Sequence, residues 1–543
     1  MGYEIFKRVS GIKFTKYLPH LVGFIFLLIF VIYPVSCVFL KSFYGDSGFT
    51  LKYYVEFIKN PYYYNILKNS LMVAFLSTTL SLFMGLLFSL LIFKTDIKGK
   101  IFLKFAVLLP IITPGFINSL SYVFLFGRHG LITHGLLGLE PNIYGWGSVV
   151  ILQSIDYTTT AFLIISAVLL GISSNLEDAA RNLGSSEFEV FKNVTFPLLL
   201  PGILSAGLLI FMESMADFGT PIIVGGSFNT LATASYFEII GNFNMPMAST
   251  LSVILLIPSL ILFALYNRLY KEYGQKNMMV KPYLIKGRYK LLLSLLPTIF
   301  AIVVYMLFSA VFLASFTKGF GYDYSFTLEY FKKALQDGIP ALKNTIIFAL
   351  SSSLLVGILG MAFAYIIVRD RFFGRKILDL TILLPFGIPG TFMGIGYLLA
   401  FNSEPLLLTG TSLIIILNCV VRKLPFSYKT GYATLSQIDK SIEEASFNLG
   451  ANKLKTFYKI VLPMLKPAII FSMIYTFVAT IKTLGSIIFL ITANTKVLSA
   501  MVFEATINND FGVAACYSLM MIILSVIGVL LIWKLKGKSF VID

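Results

Sequence analysis

Glu177-Asp178-Ala179-Ala180-Arg181-Asn182-Leu183-Gly184 and Glu443-Glu444-Ala445-Ser446-Phe447-Asn448-Leu449-Gly450 are two versions of one phrase, 266 residues apart. The register holds downstream, where Val194, Phe196, Pro197 and Pro201 correspond to Ile460, Leu462, Pro463 and Pro467. Upstream, Leu67-Lys68-Asn69-Ser70 corresponds to Leu342-Lys343-Asn344-Thr345. Leu108-Leu109-Pro110-Ile111-Ile112-Thr113-Pro114-Gly115 corresponds to Leu383-Leu384-Pro385-Phe386-Gly387-Ile388-Pro389-Gly390, at an offset of 275. The change of offset falls between Arg128–Gly145 and the shorter Asn402–Gly410, read as loops, where a length difference is tolerated. An internal repeat of this length organises the whole reading. The chain is two related halves that present the same polar surface twice.

That surface is embedded in a very apolar chain, 57% hydrophobic and 13% charged, with a mean hydropathy of +0.85. Apolar runs of roughly 20 residues, enough to cross a bilayer as helix, recur along both halves. They predict spans near 19–40, 67–93, 102–126, 146–170, 198–224 and 246–267, then 291–315, 342–368, 378–401, 410–434, 465–493 and 512–533. The expected fold is an all-α polytopic membrane protein of about twelve transmembrane helices in two six-helix repeats. Six spans per repeat is an even number, so both repeats enter the membrane in the same sense. The implied pseudo-two-fold runs along the membrane normal. Residues 1–270 then form a first transmembrane domain, 271–290 a basic cytoplasmic linker, and 291–543 a second transmembrane domain.

The net charge of +17 does not signal nucleic acid. Of the 43 Lys and Arg, 32 gather in the first 17 residues, 94–104, 181–192, 268–290, 369–376, 422–466 and the last ten residues. With twelve spans and a cytoplasmic start, all seven stretches fall on one side, which is the bias that sets membrane topology. Both termini are therefore expected on the cytoplasmic side of the membrane. The loops at 41–65, 127–145, 225–245, 316–340, 402–409 and 494–511 are expected outside. Cys37, Cys419 and Cys516 lie in or beside apolar spans and imply no disulfide framework. His20, His129 and His134 lack zinc-ligand spacing, so no metal, cofactor or catalytic residue is assigned. The basic start and first apolar run read as a retained span, since no small-x-small cleavage site follows Leu40.

The repeated phrase follows the fourth span of each half, which puts it in the cytoplasm. Asn175 and Ser441 are expected to cap a first short helix, with Asp178 and Glu444 three residues on. Gly184 and Gly450 suit the left-handed position that ends it. Ser186 and Asn452 are expected to cap a second helix stopping near Pro197 or Pro463. Two helical hairpins that merely join spans would account for the caps, but not for glycines and prolines at matched registers. The phrase, in which three residues separate the small pair from a glycine and nine more separate the glycine from Val194-Thr195-Phe196-Pro197 or Ile460-Val461-Leu462-Pro463, resembles the EAA motif of binding-protein-dependent ABC importer permeases. Asp178, Ser446, Val194 and Phe196 are mild departures from that motif.

What the resemblance implies is a type I ABC importer permease with both transmembrane domains fused in one chain. In that family the motif forms a coupling helix docked on a separate ABC ATPase dimer. The carried-over coupling positions are Asp178, Ala179 and Gly184, and Glu444, Ala445 and Gly450. No G-x4-G-K-[ST] loop occurs, so ATP and Mg are expected on the partner ATPase and none in this chain. An extracytoplasmic substrate-binding protein is the second implied partner.

The cargo leaves a fainter trace. Leu-Leu-Pro-x3-Pro-Gly interrupts the third span of each half at the same place, and such paired breaks point to a translocation path or to a buried kink. Glu213 and Asp217 are four apart, on one helical face of the fifth span, and Lys482 sits in the eleventh. Ionisable groups at that depth line a path or pair with one another, so a Lys482–carboxylate pair between halves and a role in the path are both open. Glu213-Ser214-Met215-Ala216-Asp217-Phe218-Gly219-Thr220-Pro221, with Gly225-Gly226-Ser227-Phe228 and Leu231-Ala232-Thr233, resembles the fused ferric-iron branch of the family. Relatives of similar layout carry phosphonates, hexose phosphates, thiamine or polyamines. An ion-coupled secondary transporter of two six-span halves is the reading from another class, but it does not require the duplicated motif. No nucleophile–base constellation supports a membrane enzyme.

Overall fold

The computed structural model describes residues 18–45, 48–272, 288–321 and 323–534. Both chain ends and most of the 271–290 linker lie outside them. The first half contains α1 (Leu18–Phe43), α2 (Pro61–Lys94), α3 (Lys100–Ile111), α4 (Gly115–Leu136), α5 (Trp146–Leu170), α6 (Ser174–Asn182), α7 (Glu187–Ala216), α8 (Leu231–Ile240) and α9 (Met245–Glu272). The second contains α10 (Arg288–Phe316), α11 (Glu329–Arg369), α12 (Arg375–Gly387), α13 (Gly390–Ala400), α14 (Ser412–Gln437), α15 (Lys440–Asn448), α16 (Phe457–Ile481), α17 (Leu498–Ile507) and α18 (Phe511–Lys534). Each of these nine helices of the first half has its counterpart in the second. A two-stranded hairpin follows α1 and another follows α10.

Nine of these helices are long and apolar enough to cross a membrane, and the two bent pairs bring the number to eleven. The twelfth is α14, long enough but too polar to pass on composition. α3 and α4 meet at 111°, and α12 and α13 at 112°. Both breaks fall at the second proline of Leu-Leu-Pro-x3-Pro-Gly. That proline supplies no amide to continue the ladder and holds its own backbone extended, with ψ 144° at Pro114 and 148° at Pro389.

Close approach of backbones holds each half. A Cβ on Gly85 of α2 would stand 2.4 Å from the Ala161 Cβ of α5, and one on Gly360 of α11 would stand 2.2 Å from the Ser427 Oγ of α14. Small residues at a crossing are what helices need where lipid supplies no hydrophobic drive. The halves also exchange their first helices. α1 lies against the second half, where the Tyr397 hydroxyl donates to the Phe30 carbonyl at 2.8 Å and His20 meets Asp370 at 3.2 Å. α10 lies against the first, where the Tyr305 hydroxyl donates to the Phe102 carbonyl at 2.7 Å and Phe300 packs on Phe88. The two sequence repeats are interlocked in space.

Two expectations are corrected. The helix after each glycine turn does not stop at Pro197 or Pro463; α7 runs on through Pro197 and Pro201 to Ala216, and α16 through Pro463 and Pro467 to Ile481. A wide π turn at Phe191–Thr195, and another at Phe457–Val461, precedes the proline, so its missing amide falls where the hydrogen-bond pattern changes. The fifth and eleventh spans, expected over 198–224 and 465–493, break at Asp217 and Lys482.

Candidate coupling surface and translocation path

Each copy of the repeated phrase is a short helix closed by a left-handed glycine, with φ +90° at Gly184 and +82° at Gly450. The Ser185 amide donates to the Ala180 carbonyl at 3.1 Å and the Gly184 amide to Arg181 at 2.8 Å. Ala451 to Ser446 and Gly450 to Phe447 repeat the pattern at 3.1 and 2.9 Å, a Schellman ending in both copies. The N-caps are Ser173 and Asp439 rather than Asn175 and Ser441, because α6 and α15 begin two residues earlier than expected. Asp439 accepts from the Ser441 amide, and that bond holds its carboxyl below the usual range. Ser186 caps the following helix in a capping box with Glu189, whose carboxyl is held low by the Ser186 amide and hydroxyl. Asn452 caps the equivalent helix through the Lys455 amide at 2.8 Å.

The first acid of each phrase points inward. Glu177 is buried and accepts from Lys94 Nζ at 2.6 Å and from the Thr195 hydroxyl at 2.8 Å. Glu443 is buried and accepts from Arg369 Nε at 2.6 Å and from the Tyr365 hydroxyl at 3.3 Å. Lys94 and Arg369 are the last helical residues of α2 and α11, so each module is riveted to the end of its long span. These two acids were missed as anchors, although their matched register was visible. The six expected coupling residues, Asp178, Ala179, Gly184, Glu444, Ala445 and Gly450, all lie at exposed positions. Asp178 also pairs with Arg181 at 2.9 Å. Beside them Leu183 and Leu449 are 87% and 89% exposed, the same apolar tip on both modules.

The seam between the halves is less symmetric. Asp217 is the C-cap residue of α7, where the backbone turns extended, with ψ 119°. Its Oδ1 accepts from the freed amides of Gly219 and Thr220 at 3.0 and 3.3 Å, and its Oδ2 accepts from Gln153 Nε2 at 2.9 Å. Gln153 Oε1 in turn accepts from the hydroxyls of Ser77 and Ser214. Lys482 forms no salt bridge with either acid; its Nζ donates to the Ile111 carbonyl at 3.0 Å, across the seam and at the end of α3. A cation at a helix C-terminus is well placed. Glu213 lies on the surface of α7, within electrostatic reach of Lys423 and Lys482 of the other half. The Tyr157 hydroxyl donates to its backbone carbonyl at 3.1 Å.

Sequence reasoning overlooked three charges inside spans, Asp156 on α5 and Arg422 and Lys423 on α14. Arg422 and Lys423 were counted with the cytoplasmic basic stretches, but the helix carries them midway along its length. The signal was available. The 266-residue offset sets Arg422 against Asp156 and Lys423 against Tyr157.

Residues 356–533 match the family model described as binding-protein-dependent transport system inner membrane component. The ferric transport system permease protein FbpB of Actinobacillus pleuropneumoniae is 33% identical over 95% of this chain and 77% of its own length. The Fe(3+)-transport system permease protein FbpB 2 of Haemophilus influenzae is 25% identical over 94% of this chain and 98% of its own. The sulfate transport system permease protein CysT of Escherichia coli is 28% identical over 46% of this chain and 91% of its own. A bacterial alginate ABC transporter, solved in complex with a periplasmic protein bound to an alginate pentasaccharide, aligns at a TM-score of 0.40 with 16% identity, covering 51% of this chain and 99% of that one. The fold is that of an ABC importer permease, a multi-pass transport subunit of the inner membrane. The chain belongs to the binding-protein-dependent transport system inner membrane component family.

Proposed function

We propose that this permease passes ferric iron from an extracytoplasmic binding protein into the cytoplasm, driven by a separate ABC ATPase dimer. The observation that carries the cargo is the near full-length similarity to ferric permeases, whereas the sulfate relative covers under half of the chain. α6 and α15 dock on the ATPase through Asp178, Ala179, Gly184, Glu444, Ala445 and Gly450, with Leu183 and Leu449 as apolar tips. The ATPase holds ATP and Mg. Both termini lie with the modules in the cytoplasm, and the cargo crosses along the seam past Glu213 and Lys482. Glu177 and Glu443 transmit motion of the docked helices to α2 and α11, because a buried, charge-assisted pair moves as one body. The test is uptake of radiolabelled ferric iron into proteoliposomes containing the chain, its ATPase and the loaded binding protein. ATP-dependent iron uptake is expected; uptake of sulfate or phosphonate with none of iron would replace the cargo assignment.

A further inference from the structure

α13 begins at Gly390, and no side chain caps its first turn. The first amides of a helix have no intrahelical acceptors and carry the positive end of its dipole. Where a neutral or acidic group would be expected, the structure supplies a cation. The Arg422 guanidinium lies against Gly390, with Nη1 and Nη2 3.0 and 3.5 Å from where a Cβ on that residue would stand. Arg422 Nη1 is buried without a hydrogen-bond partner. Thr391, the next residue of α13, is 0% exposed and its hydroxyl is also without a partner. Lys423 and Lys482 lie within electrostatic reach of one another, and Lys423 of Arg422, adding to the positive field.

The first half shows what such a place accepts. The residue equivalent to Arg422 is Asp156, and its carboxylate occupies the start of α4. Its Oδ2 is 2.5 Å from where a Cβ on Gly115 would stand, and its Oδ1 accepts from Asn118 Nδ2. There the protein's own carboxyl group lies against the helix N-terminus. In the second half a guanidinium, a bidentate donor, stands at the equivalent place. A guanidinium fork, a hydroxyl and uncapped amides are all donors, and together they match a small oxyanion.

We propose that the second half holds a small oxyanion, such as phosphate, sulfate or carbonate, between Arg422, the Thr391 hydroxyl and the first amides of α13. In a permease that carries a trivalent cation, this rests on the path reading above and refines it: the metal passes Glu213 while an oxyanion is held across the seam. The anion arrives either as a ligand of the metal or free from solution.

The test is equilibrium binding of radiolabelled inorganic phosphate to the purified full chain in detergent. Saturable binding is expected, weakened about tenfold or more by Arg422→Gln and several-fold by Thr391→Val, with Arg422→Lys intermediate because it keeps charge but loses the fork. Thr391→Val preserves shape, so it reads the hydroxyl even if Arg422→Gln folds poorly. Phosphate binding that is absent, or equal in wild type and Thr391→Val, would overturn the subsite whatever happens to iron uptake. In proteoliposomes, phosphate entering together with iron identifies a metal-borne anion. Phosphate that binds in an Arg422-dependent way without entering identifies a resident one. Arg422-dependent binding with no iron uptake would uphold the subsite and remove the cargo assignment instead.

Discussion

The two cytoplasmic modules and the two membrane breaks are products of the same repeat, yet they have diverged to different degrees. In the modules, Glu177 and Glu443, Lys94 and Arg369, Gly184 and Gly450, and Leu183 and Leu449 stand at equivalent positions, and the same acid pairs with the same basic position in both. At the breaks the geometry is just as symmetric, 111° against 112°, but the chemistry is opposed: Asp156 in one half, Arg422 in the other. On the proposed docking, a surface that meets two copies of one partner has reason to stay duplicated, and on the proposed path a passage that holds one cargo at a time is free to differ on its two walls.

The largest expected effects come from the buried anchors. Glu443→Ala leaves the Arg369 guanidinium buried without its carboxylate, and Glu177→Ala does the same to Lys94. Each should cost about 3–5 kcal/mol, read as a fall in thermal stability of the purified chain. Equal losses at the two sites support equivalent anchoring, and a loss at only one would break the comparison at its symmetric end.

Gly184→Val and Gly450→Val come next. A Cβ at either glycine would meet nothing within 4 Å, so steric clash is not the mechanism. The strain of a β-branched residue at positive φ, about 1–2 kcal/mol, should reopen the turn and redirect the following helix. Transport should fall while the chain still inserts. Normal transport by both variants would contradict a docking role for the modules.

How much of this was legible follows from what each residue must satisfy locally. The glycine turns, the Ser186 cap and the positions of the two bends were readable, because left-handed backbone and missing proline amides act within a few residues. The run of α7 and α16 through their prolines was not, since it depends on a π turn that composition does not announce. Asp217 was readable as important but not as a cap for Gly219 and Thr220, because that role exists only once α7 has ended. A carboxylate partner for Lys482 was one of the open readings, and its amine instead satisfies the carbonyl left open at the end of α3. No pattern within one span could reveal that contact between halves.

The smallest effects concern Asp217 and Lys482. Asp217→Asn keeps the capping oxygen but loses the acceptor for Gln153 Nε2, so it and Asp217→Ala should each cost about 1 kcal/mol. Combining Asp217→Asn with Lys482→Met should give additive changes in stability and uptake, within about 0.5 kcal/mol, because the two side chains are not partners. Recovery of function in the double variant would restore a pair between halves and erase the asymmetry of the seam.

The central claim is that both modules dock on a separate ATPase. Cysteines introduced as Leu183→Cys and Leu449→Cys, at apolar tips on the exposed faces of the two modules, allow a direct test by cross-linking in the assembled transporter. The account predicts that each variant cross-links to an ATPase subunit, in yields that change when ATP is bound. Cross-links from neither position, in a complex that still hydrolyses ATP and transports, would contradict it.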